Sequence, residues 1–381
     1  MTERQKKIID EIVEKKVNDV LAGIPIKNGH NGPYYDYEMP IRNISHWICI
    51  FEKYFDIKKD DRYKEAVKLL SRIYLDPEIL PENTCCVCRV KCGKDKTNGV
   101  IGPAWVIEGL LASARVLKDD TFYYKAVALF FTQKFSEKYG LWSVIEIDGR
   151  NFGFDITFNH QLWFAAAGSQ IIDYKYNDVI DKQIKTFLDK ACNFFVIHNT
   201  GLIFHYVKYK PNFRQARWYN KTFNTTQAGL NHEKPSLIYK EEGYHSFSIY
   251  AFALLYDRYK EERFFKSEKV KKAIMFAFDE HELERLYNSC SKLDSTKIAK
   301  NSIERLNAYA YPYNSPAFEF MLIDKVFGDG KHTDLFEKMM DIQIDFTYDS
   351  EKKSFSRNTE DSETLDARLY ELIRAFNYKG R

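Results

Sequence analysis

The sequence predicts an all-α (α/α)-toroid of about six helical hairpins with minor β-hairpins in its loops, in one domain spanning residues 1–381. Amphipathic helical patterns recur in pairs, with short turns inside each pair and longer loops bearing Gly, Pro and Asn between pairs. One member of a pair is rich in Trp, Tyr, His and small residues, while its partner is charged on one side and apolar on the other. A helix that touches both neighbours and a lumen must be apolar on two sides, whereas an outer helix keeps a wet face, so the alternation fits a ring. The intervals are similar but irregular, which favours a toroid over a linear solenoid of strict period. An incomplete barrel is the expected form.

The elements follow in chain order. Ile8, Ile9, Ile12, Val13, Val17, Val20 and Leu21 fall at helical spacing after a charged start, giving an amphipathic helix over 3–21 and no leading signal segment. Helix 42–56 carries Arg42 and His46 four residues apart on one face and opens the inner set. Its partner, 60–74, begins Asp60-Asp61-Arg62-Tyr63-Lys64 in the ordinary outer pattern. Helices 103–117 and 120–134 form the next pair. Leu141–Arg150 alternates and ends in a turn, as does Gly201–Val207, so each is expected to form a short hairpin. Helices 159–174 and 178–198 lie between them. Helices 244–259 and 266–280 follow. Pro312 and Pro316 forbid helix until Pro316 itself, which fits the first turn of helix 314–328. Helices 332–347 and 361–377 complete the chain. Inner helices are expected to start near residues 42, 103, 159, 244 and 314. The loops at 76–102 and 208–243 are too long to be mere connectors, and long ordered loops commonly carry function.

Composition bounds the partners. The 57 basic and 54 acidic residues leave a formal charge of +3, too weak a bias to point to nucleic acid. No apolar run approaches the roughly 20 residues of a membrane span, so no membrane insertion is expected and the protein reads as cytoplasmic. The seven cysteines are an odd number, and Cys85-Cys86-Val87-Cys88 with Cys92 lacks the two separated ligand pairs of a zinc site. Reduced thiols, no metal and no cofactor are expected. Phe, Trp and Tyr make up 16% of the chain, which fits either a thick helix-packed core or a cleft whose rings stack on sugars.

Four segments could carry chemistry. Asn159-His160 sits where a buried inner helix begins, a place where free N–H groups and the helix dipole attract a carboxylate. A cap and a core histidine would look the same. Tyr244-His245 is placed likewise after Lys240-Glu241-Glu242-Gly243. Ahead of helix 42–56, the run Tyr34-Tyr35-Asp36-Tyr37-Glu38 offers a sugar platform, with Arg42 and His46 adding a cation and an imidazole if their face points inward. Tyr311, in Tyr309-Ala310-Tyr311-Pro312-Tyr313, is either ligand wall or packing, and Trp105 and Trp163 are stacking candidates on inner helices.

Asn159-His160-x-x-Trp163-x-Ala165 together with Tyr244-His245-x-x-x-x-Tyr250-Ala251-x-x-x-Leu255 resembles the pattern of alginate-lyase-like and heparinase-like α/α-toroid polysaccharide lyases. The resemblance implies that Asn159 neutralises a uronate carboxylate, His160 abstracts the proton and Tyr244 protonates the leaving oxygen. That family also places an arginine about two turns before the tyrosine. Here the stretch reads Pro235-Ser236-Leu237-Ile238-Tyr239-Lys240, so Lys240, or Arg217 from the preceding loop, would have to replace it. Elimination needs the carboxylate neutralised while a base and an acid act on either side, and it needs a tyrosine whose pKa is lowered by nearby positive charge.

The expected function is therefore a carbohydrate-active enzyme, acting by β-elimination on a uronic-acid-containing poly- or oligosaccharide. Three alternatives stay open. A glycoside hydrolase would use a carboxylate pair drawn from Asp155, Glu108, Asp36, Glu38, Glu242 and Glu319. A sugar epimerase would pair His160 with His245 or His46, and toroids of the N-acylglucosamine epimerase type similarly place Arg and His on inner helices. A non-catalytic glycan-binding protein would use the aromatics alone. The partner is a carbohydrate in every case, and the oligomeric state is left open.

Overall fold

The computed structural model describes residues 1–30, 34–208, 235–281, 286, 306–376 and 378. Helices α1 (Glu3–Leu21), α2 (Ile41–Lys58) and α3 (Asp61–Leu70, continued by a 3-10 turn to Leu75) are followed by α4 (Ile101–Leu117) and α5 (Asp120–Thr132). A small antiparallel sheet of β1 (Phe135–Ser136), β2 (Leu141–Ile145) and β3 (Asn151–Phe154) precedes α6 (Phe158–Tyr174) and α7 (Asp178–Phe194). Then come α8 (Pro235–Tyr259), α9 (Arg263–Lys266), α10 (Glu268–Phe276), α11 (Pro316–Phe327) and α12 (Thr333–Thr347). A β4–β5 hairpin (Tyr348–Asp349 with Ser354–Phe355) leads to α13 (Ser362–Ala367) and α14 (Leu369–Arg374).

Local chemistry sets the helix starts. Thr2 and Gln5 form a reciprocal capping box on α1, while Asp60, Asp119, Asn177, Ser267 and Asp361 accept from the first-turn N–H groups of α3, α5, α7, α10 and α13. Pro316 occupies the first turn of α11, where a missing N–H is harmless. The inner–outer distinction is visible in burial. Every residue of α4 from Ile101 to Ala114 is buried, whereas α7 buries only the stripe Ile180, Asp181, Ile184, Phe187, Leu188, Ala191 and Phe194. Gly109 lets α4 approach its neighbours, since a Cβ there would lie 2.1 Å from the Tyr74 hydroxyl and 2.7 Å from the Ser45 Cβ.

The inner helices pack in sequence, α2 on α4, α4 on α6, α6 on α8, α8 on α11, α11 on α14 and α14 back on α2. The ring is closed, which corrects the expectation of an incomplete barrel. The sixth inner position falls to the last helix, which carries Arg368, Glu371 and Arg374 and is not among the expected inner starts. Those charges are turned into the centre, where Leu369–Ile373 are all buried. Outside, α1 touches α3 and α12, so the outer layer also joins its two ends.

Three boundaries differ from the expected ones in ways that matter. Helix α8 begins at Pro235, so Tyr244 and His245 lie in its third turn and do not open it. Gly243 is accommodated because Tyr309 packs against it, 2.4 Å from where a Cβ would be. Residues 201–207 form isolated bridges, Ile197 to Ile203 and Thr157 to Tyr206, in place of a hairpin. The 361–377 helix breaks at Arg368 into α13 and α14. No helix among the described residues is long and apolar enough to cross a membrane.

Candidate active site

A cavity of about 770 Å³ opens where the amino ends of α4 and α6 meet α8, the segment before α11 and the α13–α14 junction. Its wall includes Trp105, Asp155, Asn159, His160, His205, Tyr206, Lys240, Tyr244, Asn314 and Arg368. A larger groove, about 960 Å³, lies on the outside of the ring along α1. Its charges pair with one another, as in Lys15–Asp19 and Lys58–Asp10, so it is a solvated surface and not a candidate for chemistry.

The centre of the cavity wall is a carboxylate–imidazole dyad. Asp155 Oδ2 lies 2.8 Å from His160 Nδ1 and accepts the Val100 N–H at 3.0 Å, while Oδ1 accepts the Thr157 N–H at 3.0 Å. Burial pushes the Asp155 carboxyl up, but the facing imidazole and the backbone donors outweigh it and hold the group below the usual carboxylate range. An ionised carboxylate only accepts, so Nδ1 of His160 carries the hydrogen of this bond. Gly99 backs this dyad with φ +65°, and a Cβ there would lie 2.2 Å from Asp155 Oδ2 and 2.8 Å from His160 Nδ1. Gly99→Ala should therefore displace the dyad and lower kcat by about tenfold or more with little change in KM, read by steady-state kinetics beside a melting curve. Unchanged kcat would show that the dyad geometry is not needed.

The segment 203–207 is zipped to the start of α6, with Phe158 N–H donating to His205 O at 2.9 Å and Val207 N–H to Ile156 O at 2.8 Å. This brings His205 onto the same cavity. Buried Glu241 of α8 fixes the segment by accepting the His205 N–H at 2.8 Å and bonding His198 Nε2 at 2.6 Å. The His205 ring stacks 5.8 Å from Tyr244. Burial, reinforced by Lys240 and His160, holds its pKa well below the ordinary imidazole value, so it is neutral at pH 7. Lys240 Nζ lies over the rings of Tyr34, Tyr206 and Tyr244 at 5.3, 5.8 and 5.9 Å.

Of the sequence-predicted residues, Asn159, His160, Tyr244, Lys240, Trp105 and Asp155 meet on this cavity. Tyr244 does not have the lowered pKa that elimination wants; burial, with Tyr313 and Tyr309 adding to it, raises it well above the ordinary value. The others are elsewhere. His245 is a core histidine whose Nε2 meets Ala273 O at 3.0 Å and whose Nδ1 accepts the Ile203 N–H at 3.3 Å. Trp163 is a buried packing residue stacked on Phe247 and Tyr250, with its indole N–H given to Phe247 O. Tyr311 is fully buried and does not line the cavity. Arg42 lies behind Trp105, paired with Glu38 at 2.5 Å and bonded to Thr364 Oγ1 at 2.7 Å. His46 is stacked on Tyr370 at 4.0 Å and edge-on to Trp105, also behind the wall.

Tyr35 is 59% exposed and stacks on His30, and its neighbour Tyr34 is the ring that lines the cavity. Among the carboxylates, Asp36 is clamped by Arg89, Lys91 and Lys94, and Glu108 bonds Gln170 and Arg374 toward the other end of the inner helices. Glu38 and Glu319 are buried against Arg42 and Arg368, and Glu242 is half-buried on α8 away from the cavity. Arg217 lies outside the described residues. The cysteines 85, 86 and 88 are buried and unpaired, and among the described residues no three His, Cys, Asp or Glu side chains converge as a metal site.

No family model matches the chain. It is 29% identical over 362 residues to Archaeal glycosylation protein Q of Haloferax volcanii, a likeness that covers 92% of each chain. Its fold resembles that of cellobiose 2-epimerase from Bacillus thermoamylovorans, with a TM-score of 0.61, 13% identity and coverage of 98% of this chain and 100% of that one. It also resembles the unsaturated glucuronyl hydrolase of Bacillus sp. GL1, with a TM-score of 0.60, 12% identity and coverage of 98% and 97%. The fold is an α/α-toroid. The likeness to polysaccharide lyases rests on the two short motifs alone.

His205 and Arg368 also line the cavity, as does Asn314 of the tyrosine-rich segment, and the sequence does not single them out. His205 stands in the alternating run 201–207, whose pattern points to a strand and does not mark its histidine. Arg368 sits at ordinary helical spacing in 361–377, and nothing local marks it as buried.

Proposed function

We propose that this chain is a sugar epimerase or isomerase that moves a proton at a carbon beside a sugar carbonyl. The observation that carries the reading is a neutral second imidazole, His205, and the Lys240 ammonium on the same cavity as the His160–Asp155 dyad. His160 Nε2 takes the proton, and the carbonyl oxygen gains charge as the enediolate forms. His205 and Lys240 are the groups that meet that charge, a neutral imidazole serving as hydrogen-bond donor without giving up its proton. Return of the proton to the neighbouring carbon, with the hydroxyl proton of that carbon passing to the former carbonyl oxygen, moves the carbonyl; inversion at the same carbon takes a proton delivered to its other face by a second acid, the Lys240 ammonium. The aromatic wall of Tyr34, Trp105, Tyr206 and Tyr244 suits the apolar face of a sugar ring. Similarity along nearly the whole chain to a protein named for archaeal glycosylation favours a sugar of a glycan under construction over a polymer being degraded.

A carboxylate-pair hydrolase is disfavoured. The two carboxylates on the cavity are both engaged, Asp155 in the dyad and Asp95 by Arg89, Thr97 and the Gly99 N–H, so neither stands free to face a glycosidic bond. Elimination shares the first proton transfer, but a tyrosine held far above its ordinary pKa is a poor proton donor to a leaving oxygen. The test is incubation with candidate sugars in deuterium oxide. Deuterium at a carbon beside the carbonyl with the sugar otherwise intact is expected; new ultraviolet absorbance, or new reducing ends without deuterium, would overturn the reading.

Lys240 sets a pH dependence. Burial lowers its pKa to about 7, against the pull of Glu241 and with help from Lys94. The ammonium is charged below that value and neutral above it, so oxyanion stabilisation is lost as the pH rises through about 7. Lys240→Arg, charged at any such pH, should remove this alkaline fall in kcat/KM. An identical profile in the variant would exclude Lys240 as its source.

A further inference from the structure

Glu241 is an acid beside this site that the proton transfer does not use. Its side chain lies on α8 behind the cavity, fully enclosed, and does not line the space of about 770 Å³. Among the described residues no lysine or arginine is in ion-pair contact with it, and its partner is the His198 imidazole at 2.6 Å. Taking a carboxylate out of water without a guanidinium or ammonium in contact costs free energy, and an apolar side chain of similar volume would pack there without that penalty.

The carboxylate joins groups from two parts of the chain. One oxygen accepts the His205 N–H at 2.8 Å and the other meets His198 Nε2, so both ends of the 198–205 segment hang from one side chain. The segment is thereby held against α8, with the His205 ring stacked on Tyr244 of that helix. The space enclosed by Asn159, His205, Glu241 and Tyr244 shrinks to about 10 Å³, room for at most about one water, so the carboxylate has nowhere else to turn.

Lys240 is the residue before Glu241. Among the described residues, the groups that face its amine are the rings of Tyr34, Tyr206 and Tyr244, the neutral His205, the Lys94 ammonium and the Glu241 carboxylate. Glu241 is the acid of that set, and its charge opposes the effects of burial and of Lys94 on the amine.

We propose that Glu241 is a positioning residue of the reaction: one buried carboxylate holds His205 at the cavity and supplies the negative charge behind Lys240. This role rests on the sugar-converting reading of the cavity. It is indirect, since Glu241 touches neither the sugar nor the reacting atoms.

Two variants of the full chain separate position from charge. Glu241→Gln keeps an acceptor for the His205 N–H and removes the charge, whereas Glu241→Ala removes both. Competitive acetylation with acetic anhydride between about pH 5 and 9, read by peptide mass spectrometry, follows Lys240 directly, because only the neutral amine reacts. In Glu241→Gln the Lys240 midpoint should fall by about one pH unit, and the alkaline fall of kcat/KM should move to lower pH with it, since losing a nearby negative charge disfavours the ammonium. Glu241→Ala should have a kcat about tenfold or more below that of Glu241→Gln at the same pH, with KM within about threefold. In a His205→Ala background the two should agree within about threefold, because the side chain being positioned is gone.

If Glu241→Ala does not fold, the Lys240 midpoint in Glu241→Gln decides. An unmoved midpoint, equal kcat in Glu241→Gln and Glu241→Ala, or a difference between them that persists without the His205 ring overturns the assignment. A moved midpoint in a chain that exchanges no deuterium into any sugar leaves Glu241 in place behind Lys240 and overturns the sugar-converting reading instead.

Discussion

His160→Ala is expected to lower kcat for proton exchange by about 10²–10⁴-fold while leaving the melting temperature nearly unchanged. The imidazole is a quarter exposed at the cavity, and its one hydrogen bond is to Asp155, so removing it opens no void in the packed ring. The loss should fall on kcat more than on KM, because the group acts on a proton in the transition state and contributes little to holding the sugar. Asp155→Asn tests the same assignment from behind. An amide can donate to Nδ1 and favour the wrong tautomer, so kcat should drop again, here with some loss of stability because the Val100 and Thr157 N–H groups lose an ionised acceptor. Deuterium incorporation by His160→Ala within about tenfold of the unaltered chain would remove His160 from the mechanism.

Arg42→Ala is expected to destabilise the fold by about 3–5 kcal/mol, measured by urea unfolding. Arg42 is fully enclosed and ties Glu38 to Thr364 of α13, joining the first inner helix to the last. Truncation leaves Glu38 buried without its cation. The unpaired carboxyl is then the main penalty, so Arg42→Met with Glu38→Leu should recover part of the loss. The pH dependence has a definite sign. Burial, only partly offset by Arg42 and Arg89, raises Glu38 to about 7, above its unfolded value. A raised carboxyl makes the fold more stable where it is protonated, below the unfolded pKa, and that contribution is lost as the pH climbs through about 7. Removing Arg42 should push Glu38 higher and steepen this loss. A change below about 1 kcal/mol with a raised KM would instead return Arg42 to the substrate site.

Arg42 also shows why the site was only partly legible. Its spacing with His46 correctly put both on one helical face, and that face does point inward. What spacing cannot give is depth. Trp105 comes between that face and the cavity, and it belongs to a different hairpin. His245 fails in the same way, since the helix that carries it starts nine residues earlier than the tyrosine motif suggests and turns it toward α10. Asn159 and His160 were found because a helix start is a local event, written in the residues on either side of it. His205 and Arg368 were not, because their positions depend on Glu241, Glu319 and Glu371 from other parts of the chain.

By itself the sequence determined the helices, the alternation of two-sided and one-sided burial, and hence a toroid, because periodicity and capping act over a few residues. Tertiary structure alone decided that the ring closes through α14, that Asp155 pairs with His160, and that Lys240 stands among tyrosines on the same cavity as His205. Each of these depends on which groups lose water together and which charges then face one another. Burial and pairing across hairpins are properties of the closed ring, and no local pattern encodes them.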